Sequence, residues 1–225
     1  MDKTAKWLQK TLAYQFQDPA LLEEALTHRS AARRNNERLE FLGDAVLDFV
    51  VSDIVFQQRP DANEGDLSRL RASLVKDTHL AEVAASIGLG EHIILGSGEK
   101  KTGGHRRGSI LADALEALFA AIYMDGGFPA AEQVIRGIFE TLAAELPDSD
   151  SLKDPKTRLQ EFLQADGYAL PVYNMEKASG KAHKPVFEVS CRIDALETST
   201  LGIGSTRRNA EQQAAAAMLE KVVRT

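Results

Sequence analysis

The spacing of apolar residues changes character once along this chain, and that change limits the folds open to it. From Ala20 to about Glu145 the apolar residues recur at intervals of three and four, the repeat of a helix face, with punctuation such as Thr78 before one segment and Gly88 after it. The stretch Pro147-Asp-Ser-Asp-Ser-Leu-Lys-Asp154 is polar and has no period. Beyond it the pattern is mixed. Lys156 to Ala165 is helical, Val172 to Met175, Phe187 to Ile193 and Leu196 to Ile203 have the character of strands, and Arg207 to Val223 is an alanine-rich helix. The expected architecture is an all-helical domain at 1–146, a linker at 147–153, and at 154–225 an α-β-β-β-α domain whose three antiparallel strands pack on two helices.

Composition narrows the classes of function. A chain of 225 residues with 44% hydrophobic and 27% charged side chains is ordinary globular material. Its longest apolar stretches, such as Ala45 to Phe56, are broken by Asp48 and Asp53, and no signal-peptide pattern opens the chain, so a soluble cytoplasmic protein is expected. The single cysteine, Cys191, excludes an intrachain disulfide or a cysteine-based zinc site and reads as a buried, inert thiol. The formal net charge of −6 is unevenly spread. Residues 154–225 carry 10 Lys and Arg against 9 Asp and Glu, whereas residues 1–153 carry 17 against 24. The excess acid therefore sits in the helical part, where it either coats a surface or holds cations.

The arrangement of the carboxylates decides between these. In Asn36-Glu-Arg-Leu-Glu-Phe-Leu-Gly-Asp-Ala-Val-Leu47 a helix places Glu37, Glu40 and Asp44 on one stripe, at i, i+3 and i+7. Like charges stacked this way cost a helix a few tenths of a kcal/mol per pair, so cations, basic partners or solvent must offset them. Ser109-Ile-Leu-Ala-Asp-Ala-Leu-Glu-Ala-Leu-Phe119 repeats the pattern with Asp113 and Glu116 in an otherwise apolar helix. Hard oxygen ligands without histidine or cysteine at ligand spacing select Mg²⁺ or Mn²⁺ over zinc, and the absence of Glu-x-x-His pairs argues against a di-iron bundle. Ions held by such a set can activate water for phosphodiester hydrolysis.

These segments resemble the ribonuclease III family. NERLEFLGDAVL at 36–47 is similar to that family's signature helix, and Glu64-Gly-Asp-Leu-Ser-Arg-Leu-Arg-Ala-Ser-Leu-Val75 and GSILADALEAL at 108–118 resemble its other motifs, in order. The resemblance implies a double-stranded-RNA-specific endoribonuclease, with Glu40, Asp44, Asp113 and Glu116 as metal ligands and Asp44 and Glu116 the least replaceable. It also implies Mg²⁺ with Mn²⁺ as a substitute, no organic cofactor, and a homodimer of catalytic domains leaving 5′-phosphate and 3′-hydroxyl ends with short 3′ overhangs. Processing of ribosomal RNA precursors and processing or decay of messenger RNA are the implied roles. Glu37 and Glu64 match family positions too, but either can instead pair with Arg38, Arg69 or Arg71 or serve product or dimer contacts. Phe41 is a candidate dimer anchor or an ordinary core aromatic. Gly43 costs about 1 kcal/mol in a helix interior, which suggests close approach of a backbone or ligand. Asp48 reads as a surface or capping residue, and His28 as structural. The basic stretch Lys100-Lys-Thr-Gly-Gly-His-Arg-Arg107 is either a phosphate contact beside the acidic site or a solvated loop.

The tail resembles a double-stranded-RNA-binding domain in DPKTRLQEFLQ at 154–164 and GSTRRNAEQQAAAAM at 204–218. By that likeness Gln160, Glu161 and the His183 loop face successive minor grooves, Thr157 is a further RNA-binding residue, and Arg207 and Arg208, at a helix N-terminus, meet phosphates. Asn209 and Glu211 stand where such domains often carry a further lysine. The sequence alone also admits two other readings, a non-catalytic duplex-RNA-binding protein and a metal hydrolase of small phosphate compounds.

Overall fold

The computed structural model describes residues 3–147, 153–181 and 184–223. The chain forms two compact units, Met1–Pro147 and Asp148–Thr225.

The first unit is helical throughout: α1 (Lys3–Leu12), α2 (Pro19–Leu26), α3 (Glu37–Gln58), α4 (Glu64–Val75), α5 (Asp77–Ser86), the short α6 (Ser97–Lys101) and α7 (Gly108–Ala144), with two single 3₁₀ turns at Leu89–Glu91 and Gly104–Arg106. Several starts are written in the sequence. Asp18 caps α2 by accepting from the Ala20 amide with Pro19 in the first turn, and Asn63 caps α4 by accepting from Asp66. Helix α5 begins at Asp77, so Thr78 lies inside it rather than before it, whereas Gly88 follows its end in the left-handed region, as its position suggests. Helix α7 runs through the middle of the unit. Its residues from Ile110 to Ile122 are buried nearly all round, apart from Asp113 and Glu116, and a non-helical Gly127 breaks it before Pro129. A helix apolar on every side belongs in a core, and α3 packs against it more extensively than any other element does. Among the described residues no helix is long and apolar enough to cross a membrane.

The second unit has the order α8 (Pro155–Ala165), β1 (Val172–Lys181), β2 (Lys184–Ile193), β3 (Thr198–Gly204), α9 (Arg207–Val223). The strands form one antiparallel sheet in the order β1-β2-β3, with an irregularity between Met175 and Lys177. β1 extends beyond the expected Met175 and β2 starts earlier than Phe187, because the exposed polar segments pair with each other in the hairpin register. Leu196 belongs to a 3₁₀ turn ahead of β3. Helix α9 sits on β3 so closely that a Cβ on Gly202 would stand 2.1 Å from the Ala210 carbonyl oxygen and 2.2 Å from the Ala214 amide nitrogen. The alanine run is thus a packing face. Leu159, Leu163, Cys191, Ile193, Ala214, Ala215 and Met218 make the core of this unit, with the Cys191 thiol buried as expected.

Candidate active site

The site is organised by a backbone crossing. A Cβ added to Gly43 would lie 1.9 Å from the carbonyl oxygen of Glu116, so α3 and α7 touch main chain to main chain at that point. This answers the question raised by a glycine inside a helix: any side chain would force the two helices apart. The crossing also fixes the chemistry around it, since Asp44 follows Gly43 and Glu116 is the residue contacted. Glu40 lies one turn earlier on α3 and Asp113 one turn earlier on α7.

Burial and neighbouring acids perturb the carboxyls gathered at this contact. Glu116 is half-buried, and burial first, then the charges of Asp44, Glu40, Asp113 and Asp77, push its pKa up to about 8. Glu40 is raised by burial and by Asp113, Glu37 and Asp44, with Arg29 opposing. Asp113 is raised by burial and by Asp77, with His28 and Arg29 opposing. Acids arranged to repel one another under partial desolvation are short of positive charge. Among the described residues no three His, Cys, Asp or Glu side chains already close into a coordination cluster, so the carboxyls stand as neighbours rather than as a finished cage. Asp77, the first residue of α5, joins the repulsion and was not singled out by spacing.

Beside them lies a cavity of about 410 Å³ bounded by Glu37, Glu40, Asp113, His28, Arg29, Asn36 and Arg107, among others. His28 is buried and its Nδ1 lies 2.8 Å from the Ser30 hydroxyl, the structural role expected of it, although it also lines the cavity. Asn36 is only 2% exposed and its side-chain Nδ2 has no hydrogen-bond partner, which leaves a buried donor at the cavity wall. The sequence marks Asn36 only as the residue before the helix, and its burial depends on α3 docking against residues 27–28, where its backbone N–H donates to the Thr27 carbonyl. The basic stretch 100–107 delivers one cation here: Arg107 lines the cavity and pairs with Glu99 at 2.8 Å, while Lys100, Lys101 and Arg106 are exposed.

Glu37 faces the same cavity and lies 3.5 Å from Arg29 rather than pairing with Arg38. Glu64 is elsewhere. It lines a separate groove of about 330 Å³ with Phe49, Phe56, Leu67 and Arg71. Neither nearby arginine pairs with it: Arg69 binds Asp66 at 2.6 Å and Arg71 donates to the Ser52 hydroxyl at 3.2 Å. Asp48 is neither a surface nor a capping residue, because it sits mid-helix, half-buried, with its pKa raised first by burial and one carboxyl oxygen unpartnered. Phe41 is 81% exposed, which removes it from the core; with Phe49 at 63% and Phe56 at 66% it forms a stripe along one side of α3, at two-turn intervals.

In the second unit Gln160 and Glu161 are exposed on α8, and Glu161 lies 2.5 Å from Lys153. The Thr157 hydroxyl is occupied in capping, donating to Asp154 at 2.8 Å. Arg207 and Arg208 are exposed at the start of α9. His183 lies outside the described residues.

The chain is similar to known proteins over most of its length. The family description Ribonuclease-III-like matches residues 18–142, and Double-stranded RNA binding motif matches residues 155–222. Ribonuclease 3 of Actinobacillus pleuropneumoniae serotype 5b (strain L20) is 51% identical over 215 residues, 96% of each chain. The chain belongs to the ribonuclease III family. Among solved structures, the nuclease domain of ribonuclease III from Campylobacter jejuni superposes with a TM-score of 0.61 at 43% identity, covering 65% of this chain and all of that one. A second structure of that domain, described as showing flexibility in a region involved in dimer formation, gives a TM-score of 0.57 at 45% identity, covering 60% of this chain and 97% of that one. The architecture is thus that of ribonuclease III, a helical nuclease domain followed by a double-stranded-RNA-binding motif.

Proposed function

We propose that this member of the ribonuclease III family is a Mg²⁺-dependent endoribonuclease of double-stranded RNA, with Glu40, Asp44, Asp113 and Glu116 holding the metal. The observation that carries this reading is the convergence of these acids at the α3–α7 crossing, where burial first, and then the charges of Asp44, Glu40, Asp113 and Asp77, lift Glu116 to about 8. The residues suit Mg²⁺ by their chemistry: all donors are hard oxygens, and an ion that keeps several waters needs only one or two carboxylates rather than a closed cage. Bound divalent ions supply Lewis-acid stabilisation of the phosphate and a more acidic water.

The chain itself supplies position and charge. The Gly43 crossing holds two carboxylate pairs in one floor, and Arg29 and Arg107 at the cavity rim present fixed positive charge to phosphates flanking the reacting one. Asn36 offers a buried donor to whatever oxygen enters. Hydrolysis breaks the bond between phosphorus and the 3′ oxygen; the water oxygen stays on the 5′-phosphate and a proton ends on the 3′-hydroxyl. The α8 face and the start of α9 bind the duplex largely by shape, through 2′-hydroxyls and phosphates.

Cutting both strands needs two sites, and the Phe41, Phe49, Phe56 stripe is the surface we assign to a second copy. Glu64 stands in the groove between Phe49 and Phe56, on the side of that contact, which favours a role at the dimer interface over one in its own acidic cluster. A single buried thiol and no disulfide suit a reducing compartment, the cytoplasm. The test is cleavage of a fully paired RNA against the same strands unpaired, with Mg²⁺ or with EDTA. Duplex-only cutting that stops in EDTA supports the reading, and equal cutting of single strands removes it.

A further inference from the structure

In the second unit an acidic residue occupies a place where charge alone makes it unwelcome. Glu211 lies in the second turn of α9, beside Arg207 and Arg208, the arginines proposed to meet RNA phosphates. Its two oxygens are shared between helices: one accepts from the Lys156 ammonium of α8 at 2.5 Å, the other from Nε of Arg207 at 2.9 Å. The carboxylate side chain is 13% exposed, and the Lys156 ammonium also lies 4.5 Å over the ring of Tyr173 on β1. The Lys156 bond, opposed by burial and aided by Arg207, holds the Glu211 carboxyl below its ordinary range, so it stays charged at neutral pH. An isolated i, i+4 pair on a helix surface is worth only a few tenths of a kcal/mol, but a charge buried between two helices and bonded to both fixes their relation. The bond to Arg207 also uses Nε, which leaves the two terminal nitrogens of the guanidinium for a phosphate.

We infer that Glu211 is a positioning residue for duplex-RNA binding: by bridging Lys156 and Arg207 it clamps α8 to the start of α9 and orients the Arg207 guanidinium, so that a negative charge strengthens the binding of a polyanion. The inference rests on the duplex-RNA reading above. It opposes the electrostatic expectation in sign. Removing an acid next to phosphates should tighten binding if Glu211 is merely a nearby charge, and should weaken it if Glu211 orients a phosphate contact.

The experiment measures affinity of the full chain for a perfectly paired RNA in Ca²⁺, across a salt series, for wild type, Glu211→Gln, Arg207→Ala and the double variant, with thermal melts alongside. Loss of one phosphate contact predicts roughly five-fold weaker binding of Glu211→Gln at 0.15 M salt and a log–log salt slope shallower by about 0.9 per bound domain. In the Arg207→Ala background the Glu211 change should have no further effect. Lys156→Met should weaken binding in the same way, and it carries the test if Glu211→Gln does not fold. Unchanged or tighter binding of Glu211→Gln overturns the inference, as does a loss of equal size in the Arg207→Ala background. Failure of the wild type itself to bind the duplex would overturn the underlying reading, a result distinct from any behaviour of the variants.

Discussion

Replacing Glu116 by glutamine should stabilise the metal-free protein while destroying its activity. In the folded chain burial and the charges of Asp44, Glu40, Asp113 and Asp77 hold the Glu116 pKa near 8, against 4.5 for the ordinary side chain. A carboxyl whose folded pKa is raised binds its proton more tightly folded than unfolded, so it lowers stability progressively as pH rises from about 4.5 to about 8, and fully above that. A shift of that size is nominally about 5 kcal/mol, but the side chain is only half-buried and solvent screens it, so about 2 kcal/mol is the expected size. For a domain of this length that is roughly a 5 °C difference in melting temperature. The assay is thermal unfolding of wild type and Glu116→Gln in EDTA from pH 5 to pH 9. The two curves should nearly coincide at the acid end and separate with rising pH, the variant being the more stable, and Mg²⁺ should then raise the wild type more than the variant. A variant that melts at or below the wild type at pH 8 in EDTA would refute the claim that burial and the neighbouring acids disfavour a charged Glu116.

Other consequences follow from particular contacts. Gly43→Ala places a methyl group on the Glu116 carbonyl and should cost about 1–3 kcal/mol, lowering the melting temperature and spreading the carboxyls enough to reduce cleavage; calorimetry and initial rates measure both. Phe41→Ala should leave the monomer folded and, at about 2 kcal/mol for each of two rings, weaken the proposed dimer about a thousand-fold, as read by sedimentation. Asp154→Ala removes the acceptor for the Lys156 and Thr157 amides and for the Thr157 hydroxyl, and should destabilise the second unit by about 1 kcal/mol. Burial raises the Asp154 carboxyl, but the bonds from Thr157 and Lys156 outweigh it and hold it below its ordinary range. Its contribution is therefore complete above the ordinary carboxylate pKa and fades as pH falls below it.

What the sequence makes visible and what it hides divides along the reach of the interactions. The stripe Glu37, Glu40, Asp44 and the pair Asp113, Glu116 are set by helical periodicity, a local property. Strand limits are less local: the ends of β1 and β2 depend on their mutual pairing, which is why the hairpin runs further than its apolar residues indicate. Gly43 is legible as an anomaly, but only the fold reveals that its partner is the backbone of Glu116. Asn36, Arg29, Asp77 and Arg107 reach the acidic site from four different segments, and no spacing announces that convergence. The same limit applies to Phe41, whose surface position follows from which side of α3 meets α7.

The most direct measurement compares wild type and Glu116→Gln on one perfectly paired RNA, with cleavage followed in Mg²⁺ and binding followed in Ca²⁺. The account predicts that both proteins bind the duplex in Ca²⁺, that only the wild type cuts it in Mg²⁺, and that its products carry 5′-phosphates. Cleavage by Glu116→Gln at the wild-type rate, or wild-type cleavage that persists in EDTA, would contradict the assignment of this carboxylate cluster as the metal-dependent site.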